Sequence, residues 1–198
     1  MTSPAAIAIG CSAGGVDALM TLLGGLDAGL QQPVLVCCHR SDAMDILGDV
    51  LGRNSVLPVI EAVERQPVQP GVVHLAPAGY HLLVESDLNF ALSVDPRVNY
   101  SRPSIDVLFC SAAEVWRQAL IGVILTGANA DGAAGLLRIR QLGGVAIVQS
   151  PADAEATAMP QAALDLAGAD YCLPLSDIAP VLNQLCHEYS HSQDPGRR

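Results

Sequence analysis

The chain has 198 residues, a formal net charge of −10 and a hydrophobic content of 51%. This length predicts one domain with a substantial core, and the acidic surface argues against nucleic acid as a partner. The six cysteines lack metal-ligand spacing, which predicts a reduced cytoplasmic protein without a bound metal. The sequence shows neither a signal-peptide pattern nor an apolar run long enough to insert into a membrane.

Buried strands and amphipathic helices alternate along most of the chain. In order, the pattern predicts strand 5–9, helix 16–23, strand 34–38, helix 42–51, strand 56–60, a ribbon within 67–94, helix 105–116, strand 120–125, helix 134–142, strand 145–148, helix 160–166, strand 171–173 and helix 177–187. Strands that alternate with helices form a mainly parallel, doubly wound sheet of the Rossmann-like α/β class. We expect one domain over residues 1–189, followed by a disordered tail at 190–198.

A different pattern occupies residues 67–94, where short apolar segments follow one another without helices between them. These segments, at 71–77, 81–84 and 90–94, predict an antiparallel β-ribbon inserted into the α/β scheme. Residues 95–101 are predicted to form a polar loop before the next helix.

Individual residues refine the boundaries of the predicted elements. Asp42 and Ser104 are expected to cap the helices that follow them, and Asp131 is by default another N-cap. Pro58 cannot donate a hydrogen bond to a neighbouring strand, so the third strand is expected at an edge of the sheet.

The turn after the first strand carries the motif Gly10-x-Ser12-x-Gly14. Such glycines leave room for a sharp turn that exposes a nucleophilic serine hydroxyl. Free backbone N–H groups at a helix start also bind phosphate. The motif alone therefore leaves a nucleophile and a phosphate cradle as alternatives.

Two further polar residues are predicted at the same edge of the sheet as Ser12. His39 ends the second strand, and Asp131 lies in the turn after the strand at 120–125. A hydroxyl, an imidazole and a carboxylate at the carboxyl ends of parallel strands are the parts of a nucleophilic triad. The backbone N–H groups after Ser12 and in the 127–131 turn are placed to stabilise an oxyanion.

Each of these assignments has a competing interpretation. His81 is the rival base, and Asp106 is the rival acid, although a carboxylate early in a helix also favours the helix dipole. A dinucleotide site is a further alternative, but the 10–15 segment lacks the usual G-x-G-x-x-G pattern, and no cofactor is predicted. The order serine, histidine, aspartate along the chain also differs from the order in an ordinary α/β-hydrolase.

The chain also contains a series of longer motifs. In order they are I-G-C-S-A-G-G at 9–15, a histidine at 39 after the second strand, G-V-V-H-L-A-P-A-G-Y-H at 71–81, R-P-S-I-D-V-L-F at 102–109, L-T-G-A-N-A-D-G-A-A-G at 125–135 and M-P at 159–160. Together they resemble the catalytic domain of the CheB family of chemotaxis protein-glutamate methylesterases. The resemblance extends from about Ala5 to about Ile178.

The resemblance implies an activity and a set of roles. Members of the family hydrolyse glutamate γ-methyl esters on the cytoplasmic helices of chemoreceptors, release methanol and deamidate some receptor glutamines. The family's nucleophile, base and acid fall on Ser12, His39 and Asp131, and we expect the oxyanion-hole N–H groups at Ala13 and Ala128. The implied partners are methylated chemoreceptor helices and, where no receiver domain is attached, a separate receiver or regulator protein.

The sequence departs from the family pattern close to the predicted site. Ala13 replaces a threonine, Arg40 replaces a methionine, and Ala128-Asn129 replaces a methionine and a glycine. These changes bear on substrate choice and rate more than on the triad itself, and they motivate the alternative of a low-activity paralogue that acts as a binding or regulatory module in a chemosensory complex. A receiver domain usually precedes this domain in the family, so the chain is either a stand-alone esterase or a piece of a longer protein.

Overall fold

A computed structural model describes residues 4–39 and 46–188, which form a seven-stranded sheet and a separate two-stranded ribbon. The strands are β1 (Ala6–Cys11), β2 (Val34–Cys38), β3 (Val59–Glu61), β4 (Val73–Leu75), β5 (His81–Val84), β6 (Phe90–Ser93), β7 (Leu120–Ile124), β8 (Val145–Gln149) and β9 (Tyr171–Leu173). The helices are α1 (Gly15–Gly24), α2 (Leu47–Gly52), α3 (Ile105–Trp116), α4 (Ala133–Gln141), α5 (Ala158–Ala167) and α6 (Leu175–Glu188). In the part of the chain that is described, no helix is long and apolar enough to cross a membrane.

Strand β1 is the central strand of the large sheet, whose order is β3-β4-β2-β1-β7-β8-β9. All strand pairs in this sheet are parallel. Every residue of β1 is buried, because helices cover both faces, and this explains its continuous apolar sequence. The strand order reverses between β1 and β7, and ligands of such sheets bind beyond the carboxyl ends of the strands at this point.

Two apolar cores lie on the two faces of the sheet. One packs α1, α2 and α6 against the sheet, and the other packs α3, α4, α5 and the ribbon against the opposite face. On the second face β1 presents the small residues Ala6 and Ala8, and a Cβ on Gly10 would clash with Ile105 at the start of α3. Small residues in β1 therefore allow the first turn of α3 to approach the carboxyl end of the central strand.

The predicted doubly wound, mainly parallel sheet with an inserted ribbon is confirmed. The prediction that residues 71–77 belong to the ribbon is wrong, because β4 lies in the large sheet between β3 and β2. The ribbon consists only of β5 and β6, which pair antiparallel. All three residues of β4 are buried. Its position within the large sheet, which has an apolar core on each face, explains this burial.

Element boundaries follow the sequence pattern to different degrees. Helix α3 covers the predicted 105–116, whereas β3 begins three residues later than predicted, at the edge of the sheet as Pro58 indicates. The predicted cap Asp42 and the tail at 190–198 lie outside the described residues, so neither prediction is tested.

Candidate active site

Ser12 lies in the turn between β1 and α1 and is partly exposed. In this turn Gly14 has a φ of 73°, a conformation that glycine adopts without steric cost. The Ser12 N–H donates to the Thr126 carbonyl at 2.9 Å, and the Thr126 hydroxyl donates to the Ala13 carbonyl at 2.9 Å. These two hydrogen bonds join the turn after β1 to the turn after β7.

His39 directly follows β2, and its side chain is 11% exposed. Its Nε2 lies 2.7 Å from Asp131 Oδ2, and its Nδ1 lies 3.3 Å from Ser101 Oγ. An ionised carboxylate only accepts hydrogen bonds, so Nε2 carries the proton of the neutral imidazole. Nδ1 is therefore the ring nitrogen that is left to act as a base.

Asp131 is fully buried and accepts five hydrogen bonds. Oδ2 accepts from the imidazole and from the Ile105 N–H, both at 2.7 Å. Oδ1 accepts from Ser104 Oγ at 2.8 Å, from Asn99 Nδ2 at 3.0 Å and from the Asp106 N–H at 3.2 Å. The carboxylate therefore caps the start of α3, although it belongs to the loop that precedes α4.

These contacts determine the ionisation of Asp131. Burial by itself would raise the pKa of this carboxyl group, but the surrounding hydrogen-bond donors, with His39 the strongest, lower the pKa from its ordinary 3.8 to about 2. The first N–H groups of α3 also place the positive end of a helix dipole at the carboxylate. Asp131 is thus ionised at neutral pH and fixes the tautomer and the orientation of the imidazole.

The two N-caps predicted near the site have different outcomes. Ser104 occupies the N-cap position of α3 as predicted, but it makes no side-chain cap, and its hydroxyl donates to Asp131 instead. The N-cap of α4 is Gly132, with a φ of 95°, rather than Asp131. A carboxylate binds two adjacent N–H groups and an imidazole more strongly than a single N–H of its own helix, so Asp131 turns towards α3.

A tight turn at residues 98–101 supplies two further residues of the site. Val98 and Ser101 exchange both backbone hydrogen bonds, at 3.1 and 2.9 Å. Asn99 and Tyr100 have φ values of 49° and 65°, positive as in the type I′ turn of a hairpin. Asn99 Nδ2 donates both to Asp131 and to Asp106 Oδ2, the latter at 2.8 Å. The 98–101 turn is therefore attached to Asp131 through Asn99 and to His39 through Ser101.

Asn99 and Ser101 are residues that the sequence analysis missed. The 95–101 segment has no hydrophobic periodicity, so no local pattern places it against the sheet. One signal was present, because asparagine tolerates a positive φ better than most residues and often marks a tight turn.

The predicted oxyanion-hole donors lie in the two joined turns. Within the described parts of the chain, no group accepts a hydrogen bond from the N–H of Ala13 or of Ala128, so both donors are available to a ligand. Asn129 does not have the positive φ that the family glycine suggests. Its Oδ1 accepts the Asp131 N–H at 3.1 Å, so this substitution orders the turn rather than straining it.

The structure brings His39 and Asp131 into contact and leaves Ser12 unconnected to them. No described residue hydrogen-bonds the Ser12 hydroxyl, and Nδ1 of His39 contacts Ser101 instead. Catalytic hydrogen bonds are often long or poorly aligned before substrate binds. Arg40 lies outside the described residues. The catalytic roles of the predicted site residues therefore stay predictions.

The rival residues make structural contacts. His81 is buried, its Nδ1 accepts the Ser104 N–H at 3.2 Å, and its Nε2 lies 3.1 Å from the Pro96 carbonyl oxygen. Asp106 Oδ1 accepts the Gly135 N–H at 2.7 Å. Residues 4–39 and 46–188 contain no group of three or more His, Cys, Asp or Glu side chains that could hold a metal ion.

Comparison with known proteins gives consistent matches over nearly the whole chain. The family model described as CheB methylesterase matches residues 7–182. A Leptospira interrogans protein whose name describes a protein-glutamate methylesterase/protein-glutamine glutaminase is 45% identical over 183 residues, which are 91% of this chain and 94% of that protein. A Bradyrhizobium diazoefficiens protein-glutamate methylesterase/protein-glutamine glutaminase of group 2 operon is 38% identical over 188 residues, which are 92% of this chain and 47% of that protein.

A solved structure gives the same result for the fold. The crystal structure of the Thermotoga maritima CheB methylesterase catalytic domain superposes with a TM-score of 0.89 at 30% sequence identity, covering 93% of this chain and 100% of that one. The chain thus spans nearly all of the Leptospira protein and of the Thermotoga domain, and about half of the Bradyrhizobium protein.

Proposed function

Because the chain belongs to the CheB methylesterase family, we propose that it hydrolyses glutamate γ-methyl esters on chemoreceptor proteins by a Ser-His-Asp mechanism and releases methanol. The observation that carries the proposal is the contact of 2.7 Å between His39 Nε2 and the buried Asp131 carboxylate. This pair stands at the carboxyl edge of the strands that flank β1, and Ser12 follows β1 itself.

Acylation begins with attack of the Ser12 oxygen on the ester carbonyl carbon. His39 takes the hydroxyl proton at Nδ1, because Nε2 is held by Asp131, and Ser101 yields its contact with Nδ1 at this step. The ionised Asp131 stabilises the imidazolium that forms. The bond to the methoxy group then breaks, and the methoxy oxygen leaves as methanol with the proton from His39.

The negative charge of the tetrahedral intermediate develops on the former carbonyl oxygen. The N–H groups of Ala13 and Ala128 are the donors that we assign to it, because both lack an acceptor among the described residues and lie in the turns that Thr126 joins. Preorganised donors of this kind each contribute roughly 10²- to 10³-fold to the rate of acyl transfer.

Deacylation repeats the proton transfers with water. His39 takes a proton from the water that attacks the acyl-Ser12 ester, and it returns the proton to the serine oxygen as the glutamate product leaves. With a glutamine side chain the same steps release ammonia instead of methanol, and the double activity in the relatives' names supports this deamidation. The partners that we assign are cytoplasmic chemoreceptor helices and a separate receiver or regulator protein.

The test compares Ser12→Ala with the wild type in release of methanol from a methylated chemoreceptor. We expect the rate to fall at least about 10³-fold, because the nucleophile is lost while the fold is kept. Ser176→Ala, an exposed position on α6, serves as the matched control and keeps the wild-type rate. Unchanged methanol release by Ser12→Ala would refute the proposed mechanism.

A second candidate function is the low-activity binding module, which is favoured by the contact of Ser101 with the base. A fluorophosphonate probe separates the two candidates, because it reacts only with an activated serine. Covalent labelling of the wild type, lost in Ser12→Ala, is expected for the esterase. A wild type that binds methylated receptor but is not labelled would favour the binding module.

A further inference from the structure

Tyr100 has two properties that do not stabilise the fold. The residue is 95% exposed, more than any other large hydrophobic residue in 4–39 and 46–188. Its backbone has a φ of 65°, which is rare for a bulky residue and is ordinarily left to glycine or asparagine. Unfavourable backbone conformations of this kind cluster where a side chain is held in position for a ligand.

The position of Tyr100 is fixed by the catalytic residues themselves. The residue before it, Asn99, donates a hydrogen bond to Asp131, and the residue after it, Ser101, contacts His39. The two backbone hydrogen bonds between Val98 and Ser101 close the turn that carries Tyr100. Tyr100 therefore stands at the rim of the candidate active site, on a turn that cannot move without disturbing the acid and the base.

We propose that Tyr100 is a substrate-binding residue, whose ring packs against the protein segment that carries the esterified glutamate. This inference rests on the proposed function, since it concerns the substrate of the same site. A glutamate side chain is short, so a methyl ester that reaches Ser12 brings its neighbours in the substrate against the rim of the site. A tyrosine ring offers such a segment a large apolar surface at little cost in side-chain entropy.

The contact that we assign to the ring is apolar. The chain carries a net charge of −10, so long-range attraction cannot draw an acidic protein segment to the site. An uncharged ring avoids this repulsion, and its contribution to binding is insensitive to salt, unlike that of a charged side chain. The occupant that fits is a side chain with apolar surface next to the methyl-esterified glutamate.

The test compares hydrolysis of a methylated chemoreceptor with fluorophosphonate labelling of Ser12 in the same variants. For Tyr100→Ala we expect a higher KM and a kcat/KM on the receptor lower by roughly 10- to 30-fold, as for an aromatic residue at the centre of an interface. The labelling rate stays within about twofold of the wild type, because the probe reacts at Ser12 and lacks the protein segment that the ring is proposed to contact. Tyr100→Phe keeps the wild-type values, because it keeps the ring.

Two further variants separate binding from an effect on the turn. Tyr100→Asn removes the ring but tolerates the positive φ, and we expect the same loss on the receptor as for Tyr100→Ala. Leu88→Ala is the matched control, because Leu88 is also bulky, 44% exposed and at a φ of 63°, but lies in the turn of the ribbon. It keeps the wild-type kcat/KM.

Three results would overturn the inference. An unchanged kcat/KM of Tyr100→Ala on the receptor would show that the ring does not bind substrate. An equal loss of labelling and of receptor hydrolysis in Tyr100→Asn would show that the residue only supports the turn. A wild type that is labelled by the probe and releases no methanol from methylated receptor would instead refute the proposed substrate, and the inference with it.

Discussion

The substitution Asp131→Asn tests the effect of the charge of Asp131 separately from the effect of its shape. The amide is almost isosteric with the carboxylate, but it is uncharged and presents an NH₂ group on one side. All five neighbours of Asp131 donate to the carboxylate. With the NH₂ group on the Oδ1 side three of these donors face another donor; on the Oδ2 side the Ile105 N–H does, while the imidazole can switch tautomer and accept.

The magnitude follows from the pKa of Asp131. Its lowering from 3.8 to about 2 corresponds to about 2 kcal/mol of stability once the group is ionised. Because the folded-state pKa is the lower one, this contribution is present above about pH 4 and is lost as the pH falls towards about 2, with roughly half left at pH 3. The mismatched donors add about 1 to 3 kcal/mol that does not depend on pH.

The assay is urea unfolding of wild type and Asp131→Asn between about pH 5 and pH 3, at fixed ionic strength. We expect the difference in the free energy of unfolding to shrink by about 1 kcal/mol over this range. Methanol release falls on the order of 10³- to 10⁴-fold at neutral pH, because the imidazole loses the partner that fixes its tautomer.

Asp106→Asn is the matched control, because it removes a neighbouring carboxylate whose pKa is shifted in the opposite direction. Burial, together with the charge of Asp131, raises the pKa of Asp106. The stability of the wild type relative to Asp106→Asn should therefore fall, rather than rise, as the pH increases from about 3 to 5. A pH-independent difference for Asp131→Asn, or one of the same sign in both variants, would refute the electrostatic account of the site.

Two other substitutions test the geometry of the site. Ser101→Ala removes the hydroxyl that competes for Nδ1 of His39 at 3.3 Å, so labelling of the nucleophile by a fluorophosphonate should become roughly 2- to 10-fold faster; slower labelling would contradict this competition. Gly14→Ala places a Cβ against the Glu155 side chain at a φ of 73°, and thermal unfolding should show a midpoint lower by about 2 to 8 °C. Gly79→Ala is the control, because Gly79 has a φ of 79° and a Cβ there would meet no atom within 4 Å. This variant therefore carries the cost of the backbone conformation without a steric contact. An equal lowering of the unfolding midpoint in the two variants would show that contact with Glu155 adds nothing.

The large sheet is predictable from the sequence because its central strands are buried on both faces. β1, β2 and β7 read as short apolar runs that end in turns, and the helices between them show the expected spacing. β4 is not predictable in this way, since it has three residues and no helix separates it from β3, the strand before it in the chain. The family resemblance drawn from the spaced motifs is confirmed by the match over residues 7–182.

The residues of the candidate site differ in the same way in how far the sequence predicts their positions. Ser12, His39 and Asp131 follow strands, so the parallel topology alone predicts that they meet at one edge. Asn99 and Ser101 come from a loop whose position depends on tertiary contacts with Asp131 and His39, and no local pattern encodes such contacts. The cap that Asp131 gives to α3 is equally non-local, because 26 positions separate it from the Ile105 N–H that it accepts.

The double attachment of Asp131 affects the choice of an inactive variant for capturing a receptor complex. Removal of its carboxylate breaks the hydrogen bonds that hold the imidazole, the 98–101 turn and the start of α3. Such a variant therefore no longer presents the native rim to a receptor. The Ser12 hydroxyl has no partner among the described residues, and its loss leaves the neighbouring hydrogen bonds in place. A protein that binds but does not turn over is therefore best made at Ser12, the proposed nucleophile, because this substitution leaves the hydrogen bonds around the candidate site in place.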